Sequence, residues 1–295
     1  VGFSDDGETT RHSGIMRQAL EASRALGVPV MVHSEDAGLT GGAMHEGKTS
    51  RRLGLRAIPA IAEEIVIARD VALAGLTGGW LHVCHVSTGV GADLIDAAKR
   101  EGARVTAEVM PHHLTMTDEW VAGRRQLVNV DEPAGRVSML ADPDTKVNPP
   151  LRTRGDSRRL LKALKQGTID IVATDHAPHA RPEKHGASFL GAAFGLVGSE
   201  LALPLMMALV RAGEMTLSDV VGYLSVVPAR LWGLNAGTLK PGAPADMVVF
   251  DPSETWHVEP DRLLSRAANT PLIEMELRGR VKMTIVGGDE RHRAW

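Results

Sequence analysis

The sequence predicts an α/β fold in which parallel strands alternate with helices, as in a (β/α) barrel. From the start of the chain to about residue 210, short β-branched runs alternate with longer stretches of helical spacing. Each short run leads into a loop with unusual polar residues, which is the position of active-site residues in such barrels. After residue 213 the pattern changes, and the alternating runs 247–250 and 277–286 predict a small antiparallel sheet or sandwich. We therefore predict a barrel region at 1–235 and a β-sandwich portion at 236–295.

The elements follow from the period of the apolar residues. The predicted strands are 28–33, 80–85, 104–109 and 169–174. The predicted helices are 13–26, 56–76, 88–101, 156–166, 197–212, 216–224 and 227–232. In the second helix, apolar residues recur at steps of three and four with charged residues between them, the pattern of a helix with one apolar face. That stripe consists of Ile58, Ile61, Ile65, Ala68 and Ala72. Residues 120–146 show no sustained period and predict a long excursion from the scaffold.

Composition excludes several classes of function. The chain has 295 residues, 43% of them hydrophobic, and a formal net charge of -3, which suits a large buried core. Lys and Arg are spread evenly, so no nucleic-acid surface is expected, and no apolar run reaches the ~18 to 20 residues of a membrane span. The single cysteine, Cys84, fits a reducing cytoplasm. The expected partners are small molecules or other proteins.

Five successive strand ends carry ionisable groups. In chain order they are Asp6, His33, His85, His112 with His113, and Asp175. Because the carboxyl ends of barrel strands converge, we expect Asp6, His33, His85 and Asp175 to lie together. Two imidazoles and two carboxylates suit zinc, with manganese or cobalt as substitutes. Such an ion lowers the pKa of a bound water and polarises a carbonyl, so the expected chemistry is hydrolysis, or its reversal, at an amide-like carbon.

Strand alternation separates two histidines of one run. It places Val83 and His85 on one face, and His82 and Cys84 on the other. His82 is therefore interpreted as structural. Cys84 is interpreted as a small buried hydrophobe rather than a nucleophile.

Five motifs occur in a fixed order along the chain. They are Val32 to Asp36, His82 to Thr88, Glu108 to Leu114, Lys146 to Arg152 and Ala173 to His179. In this combination they resemble the bacterial dihydroorotases of the amidohydrolase superfamily, of the type whose metals are bridged by an aspartate. The resemblance runs from the segment Phe3 to Gly7 as far as Asn269 to Pro271. It implies a distorted (β/α)8 barrel with a composite β-sandwich.

The resemblance also implies an activity and its cofactor. The activity is the reversible cyclisation of N-carbamoyl-L-aspartate to (S)-dihydroorotate in pyrimidine biosynthesis, with one or two zinc ions per full-length subunit. Asp6 would bridge the metals, and His33 and His85 would be ligands of one subsite. Asp175 would be a ligand of the other subsite and the catalytic acid and base, taking a proton from metal-bound hydroxide and passing it to the ring nitrogen.

The implied substrate contacts are Asn148, His179, Phe194 and Gly195, the last two through their backbone. Two interpretations of His176 stay open: it is a metal ligand, or it holds neighbouring site residues in place without binding the metal.

One motif of the family does not occur. Its first barrel strand carries His-x-His, and this chain contains none. Since the chain also starts at Val1 rather than Met, we expect an incomplete barrel, without its first three strands and most of the fourth, and an inactive fragment. Two alternatives stay open: another cyclic-amide hydrolase of allantoinase or hydantoinase type, or a non-catalytic subunit that supports aspartate transcarbamoylase. A homo-oligomer also stays open.

Overall fold

The computed structural model describes residues 1–5, 7–130, 140–186 and 188–294. Within them, five parallel strands form one sheet whose spatial order follows the sequence. They are β1 (Phe3–Ser4), β2 (Val30–Val32), β3 (Leu81–Val83), β4 (Val105–Val109) and β5 (Ile171–Val172). A second, antiparallel sheet has the order β6 (Met247–His257), β7 (Glu276–Val286) and β8 (Asp289–Arg293). Parallel neighbours in sequence order are what consecutive strand-helix units of a barrel produce.

Helices connect these strands. They are α1 (Ser13–Leu26), α2 (Lys48–Leu53), α3 (Ile61–Thr77), α4 (Gly89–Arg100), α5 (Pro111–Thr115), α6 (Arg154–Lys165), α7 (Arg181–His185), α8 (Ala202–Arg211), α9 (Leu217–Val221) and α10 (Val227–Leu231). A π-helical turn, Gly222–Val226, joins the last two. The predicted strands and helices are present, most of them with shifted bounds, whereas α2, α5, α7 and β8 were not predicted.

The bounds of α1 agree with the prediction because local residues cap both ends. At the start, Nδ1 of His12 accepts a hydrogen bond from the N–H of Gly14 at 3.1 Å. At the end, Gly27 has a φ of 69° and donates its N–H to the carbonyl of Ser23 at 2.8 Å. Glycine adopts this left-handed conformation without a steric penalty, so the helix stops there.

Both α3 and α8 begin five residues after their predicted starts, at 61 instead of 56 and at 202 instead of 197. Before α3, Pro59 disfavours a helical conformation at Ile58, whose N–H instead donates to the carbonyl of Met44 at 2.7 Å. Before α8, the N–H of Gly198 donates to Nδ1 of His176 at 3.2 Å. In both places a tertiary contact uses the backbone that a longer helix would need.

The face that α3 turns to the core does not coincide with its apolar stripe. Ile61 and Ile65 are 46% and 45% exposed, whereas Ile67 is fully buried in the main core. The acidic Glu63 is buried as well. The apolar stripe does not mark the buried face, because a carboxylate with specific partners occupies part of that face.

The main core lies between the helices and one face of the parallel sheet. Its members include Leu20 of α1, Ile67 of α3, Val83 of β3, Ile95 of α4 and Leu160 of α6. A second cluster packs α8 against β7 and the segment between β6 and β7, and it includes Trp120, Leu205, Val258 and Leu277. The strand ends of the parallel sheet are thereby held on a packed scaffold.

Candidate metal centre and active site

His33 and His85 meet beyond the carboxyl ends of β2 and β3. Nδ1 of His33 lies 3.0 Å from Nε2 of His85, and both residues are buried. Their rings contact edge to face, with centroids 4.8 Å apart. Two nitrogen ligands of a tetrahedral zinc ion are about 3.3 Å apart. The pair is therefore close to the geometry that a divalent metal requires, and imidazole nitrogen is a suitable donor for zinc.

A local change of backbone direction brings His85 to His33. The register pairs Val32 with Val83, so strand alternation alone would put His85 on the same side as Val83, towards the main core. His85 instead has a φ of 35°, a conformation that L residues other than glycine seldom adopt. Alternation thus ends at Cys84, and the side chain of His85 reaches the other histidine. Strain of this kind is typical of functional positions.

Three contacts fix the position of His33. Its N–H donates to Oδ1 of Asp5 at 3.0 Å, and its carbonyl accepts the hydroxyl of Thr9 at 2.6 Å. Its Nε2 lies 3.2 Å from Oε2 of Glu35. A carboxylate at Nε2 favours the tautomer that carries its proton there, which leaves the Nδ1 lone pair for a metal ion.

Glu35 was not identified from the sequence as a site residue. Burial raises its pKa, but hydrogen bonds from His33 and Asn148 outweigh this effect, and the pKa of the carboxyl lies below its ordinary value. The carboxylate is therefore charged at neutral pH. The signal that could have identified Glu35 is its position two residues after His33 in the same motif.

Asn148 joins the same cluster. Its Nδ2 donates to Oε2 of Glu35 at 2.9 Å and lies 3.3 Å from Nε2 of His33. Within the described parts of the chain, the buried Oδ1 of Asn148 has no hydrogen-bond partner. An unsatisfied buried acceptor is costly, so this oxygen is suited to a ligand N–H.

Asp175 follows β5 in a second strained conformation, with a φ of 46°. The next residue, His176, accepts hydrogen bonds at Nδ1 from the N–H groups of Gly198 and Ser199, each at 3.2 Å. Its Nδ1 lone pair is thus used within the protein, which fits the interpretation of His176 as a support. Asp6, the expected bridging ligand, lies outside the described residues.

His179, Phe194 and Gly195 lie close together in the structure. Nε2 of His179 donates to the carbonyl of Phe194 at 2.7 Å. Asn269 links the two segments, because its Oδ1 accepts the N–H of His179 at 2.9 Å and its Nδ2 donates to the carbonyl of Gly195 at 3.2 Å. The N–H of Gly195 donates to the carbonyl of Lys146 at 2.8 Å. The N–H of Gly195 is thus used within the protein, whereas the carbonyl oxygens of Phe194 and Gly195 each keep a second lone pair.

Two buried lysines hold the loop that contains Phe194. Nζ of Lys146 donates to the carbonyl of Ala192 at 2.6 Å and lies 4.3 Å from the centre of the Phe194 ring. Nζ of Lys184 donates to the carbonyl of Ala193 at 2.8 Å. Burial lowers the pKa of Lys184 to about 8. Neither lysine was predicted to have this role. Their partners are backbone carbonyls of other segments, and no local sequence motif indicates such contacts.

A buried ion pair fastens the segment after His85 to α3. Oε1 of Glu63 accepts the N–H groups of Ser87 at 2.8 Å and Thr88 at 3.1 Å, and its Oε2 accepts the Ser87 hydroxyl. Nη2 of Arg152 lies 3.3 Å from Oε2 of Glu63, and both side chains are 3% exposed. Nε of Arg152 also donates to Oγ of Ser87 at 3.0 Å. This network fixes the backbone on which His85 stands.

His112 and His113 are buried on α5. Burial lowers the pKa of His112 to about 3, so it is neutral at physiological pH. Nε2 of His113 donates to the carbonyl of Pro149 at 3.0 Å. That bond connects α5 to the segment that carries Asn148, which agrees with a role in lining the site.

Comparison with known proteins places the chain in a family. The model of the amidohydrolase family matches residues 1–291. The chain belongs to the amidohydrolase family. The family match and the five-stranded parallel sheet together confirm the predicted fold class. Metal binding is typical of this family, and the His33–His85 pair is a fitting donor set for it.

Curated relatives cover most of the chain. The dihydroorotase of Anaeromyxobacter dehalogenans (strain 2CP-1) is 48% identical over 289 residues, which are 98% of this chain and 63% of the relative. The dihydroorotase of Pelotomaculum thermopropionicum is 46% identical over 290 residues, 98% of this chain and 64% of that protein. The chain thus spans a little under two thirds of the length of these relatives.

Solved structures of hydantoinases share the fold. A D-hydantoinase (dihydropyrimidinase) from Thermus sp. superposes with a TM-score of 0.80 at 26% identity, covering 99% of this chain and 63% of its own. An L-hydantoinase from Arthrobacter aurescens gives a TM-score of 0.81 at 25% identity, with the same coverage.

Among the described helices, none combines the length and hydropathy needed to cross a membrane.

Proposed function

We propose that this chain is part of a dihydroorotase, a metal-dependent cyclic amidohydrolase that interconverts N-carbamoyl-L-aspartate and (S)-dihydroorotate in pyrimidine biosynthesis. The observation that carries the proposal is the buried pair of His33 Nδ1 and His85 Nε2, 3.0 Å apart, with Glu35 on the outer nitrogen of His33. Identity of 46–48% to proteins named dihydroorotase, over 98% of the chain, supports this substrate over others.

The proposed metal ligands are Asp6, His33, His85 and Asp175. The proposed ion is zinc, one or two per full-length subunit. When bound, zinc supplies a Lewis acid that polarises the amide carbonyl and lowers the pKa of water. Glu35 keeps the proton of His33 on Nε2, so Nδ1 remains a donor to the ion.

Asp175 is the proposed catalytic acid and base. In the degradative direction its carboxylate takes the proton of the attacking water and delivers it to the departing ring nitrogen; synthesis reverses the two transfers. The strand end at Asp175 is followed by His176, whose ring is bonded to the backbone at 198 and 199. This anchoring limits the movement of the carboxylate between the two proton transfers.

Asn148, His179, Phe194 and Gly195 are the proposed substrate contacts. The free acceptor Oδ1 of Asn148 and the loop carbonyls of Phe194 and Gly195 suit the N–H groups of a cyclic imide or amide. His179 is the member of this group that can donate to a substrate carboxylate, in exchange for its bond to Phe194.

A substrate screen of the zinc-loaded full-length protein tests the proposal. We expect hydrolysis of dihydroorotate and little turnover of hydantoin or allantoin. A preference for hydantoin would favour the second candidate, a hydantoinase, which the fold similarity at TM-scores of 0.80–0.81 supports. A full-length sequence without His-x-His before this chain, and no turnover of any of the three, would favour the non-catalytic subunit.

The isolated chain is a separate test. We predict that residues 1–295 alone turn over no dihydroorotate, because they contain no His-x-His. Robust turnover by the purified chain would contradict this prediction, because His-x-His would then not be required. Three statements about the full-length protein stay predictions: that it forms a homo-oligomer, that it binds an aspartate transcarbamoylase and that it is located in the cytoplasm.

A further inference from the structure

A second group of metal-binding side chains lies on the sheet face opposite the main core. His82 of β3, Cys84 just after it and Glu108 of β4 each place one donor atom within 4.8 Å of the other two. Nε2 of His82 is 3.2 Å from Oε2 of Glu108. His82 is fully buried, Cys84 is 7% exposed and the Glu108 side chain is 12% exposed. We propose that these three residues bind a divalent ion of the zinc type, at a site separate from the His33–His85 pair.

The donor atoms and their spacing fit such an ion. Zinc in proteins takes cysteine sulfur, histidine nitrogen and carboxylate oxygen, and three protein ligands leave one position for water. With metal–ligand distances of about 2.0–2.3 Å, tetrahedral donors lie roughly 3.3–3.6 Å apart. The nitrogen and oxygen of His82 and Glu108 already meet this spacing. The sulfur of Cys84 has to approach by roughly 1 Å, which a small rotation about its Cα–Cβ bond provides.

The hydrogen bonds of His82 accommodate both the empty and the occupied site. Nδ1 of His82 lies 2.9 Å from Oγ1 of Thr106, and the same oxygen accepts Nε1–H of Trp80 at 2.9 Å. Without an ion, the Thr106 hydroxyl donates to Nδ1, and Nε2–H donates to Glu108. With an ion at Nε2, the ring proton moves to Nδ1 and donates to Thr106, whose own proton points to the carbonyl of Leu81 at 3.5 Å. A threonine hydroxyl accepts two bonds and donates one, so each arrangement is satisfied.

Aromatic rings enclose one side of the group. The Trp232 ring lies 4.9 Å from the His82 ring and 5.9 Å from the Trp80 ring, centroid to centroid. An apolar wall excludes water and strengthens the attraction between a cation and the anionic donors. An ion here would bridge β3 and β4, one residue before His85 in the chain, and its role would be to fasten the two strands.

Cobalt titration of chain 1–295 distinguishes this site from the histidine pair. Cys84 is the only cysteine of the chain, so a sulfur-to-cobalt charge-transfer band in the near ultraviolet reports on Cys84 alone. We expect this band to appear with about one equivalent of the ion and to be removed by excess zinc. It should be lost in Cys84→Ser and in His82→Gln, and should persist in His33→Asn, which disrupts the proposed catalytic metal site.

Two further variants keep the test decisive if His82→Gln does not fold, as judged by circular dichroism. Glu108→Gln changes a side chain at the edge of the group and should weaken cobalt binding at the sulfur at least tenfold. His85→Asn should leave the band in place. Absence of the band in the unmodified chain would overturn the proposal. So would a band that survives Glu108→Gln at full affinity or disappears in His85→Asn, because sulfur would then bind with other partners.

Discussion

Glu63→Gln is expected to destabilise the chain strongly although it changes one atom. Arg152 is 3% exposed and lies 3.3 Å from Oε2 of Glu63. The amide oxygen of glutamine can still accept the N–H groups of Ser87 and Thr88, but its NH2 group then faces the guanidinium and repels it. Removing one partner of a buried ion pair costs about 3–5 kcal/mol, because the other charge stays buried. We expect a loss of about that size in the free energy of unfolding.

Urea unfolding of the chain at neutral pH measures this loss, and Glu64→Gln is the matched control. Glu64 neighbours Glu63 on α3 and is partly exposed, so its replacement should cost less than about 1 kcal/mol. A loss below about 1 kcal/mol in Glu63→Gln would refute the argument.

Two further predictions concern Glu35 and His45. Glu35→Gln should weaken zinc binding roughly 10–100-fold, measured by competition with a chelating dye, while Asp36→Asn should not; equal effects would contradict the role of Glu35. Burial, and next the charge of Arg152, lowers the pKa of His45 from 6.5 to about 4. The stability that neutral His45 contributes is therefore complete above about pH 6.5 and is lost as the pH falls towards about pH 4, because only the unfolded chain then binds the proton. The two pH units between about pH 6.5 and about pH 4.5 correspond to about 2.7 kcal/mol. Urea unfolding should show that the chain loses about 2–3 kcal/mol more than His45→Gln between about pH 7.5 and about pH 4.5; parallel pH profiles would contradict this.

The sequence predicted what local rules determine. The bounds of α1 agree with the prediction, and in the structure a capping side chain at His12 and a left-handed glycine at Gly27 set them. His33 and His85 were expected to converge because both stand at strand ends, and the structure places their nitrogens 3.0 Å apart. The polar residue after a buried strand was thus an adequate signal for this half of the site.

Contacts distant in sequence were not predictable in this way. Glu63 and Arg152 are separated by 89 positions, and nothing near either residue indicates the other. The apolar stripe of α3 therefore does not mark its buried face, because the acidic Glu63 occupies part of that face. The support of His33 by Asp5 and Glu35 likewise depends on how loops from different strands meet.

The backbone strain at His85 predicts an unusual order of stability for two variants at this position. Its φ of 35° costs a residue with a Cβ atom about 1 kcal/mol relative to glycine. His85→Gly should therefore be more stable than His85→Ala by about that amount, against the usual order. His33, which has no positive φ in the structure, provides the control, and there the alanine variant should be the more stable one. Urea unfolding of the four variants decides it. If alanine is the better replacement at both positions, the left-handed turn at His85 is not a property of the folded chain, and the contact with His33 must be reached by another route.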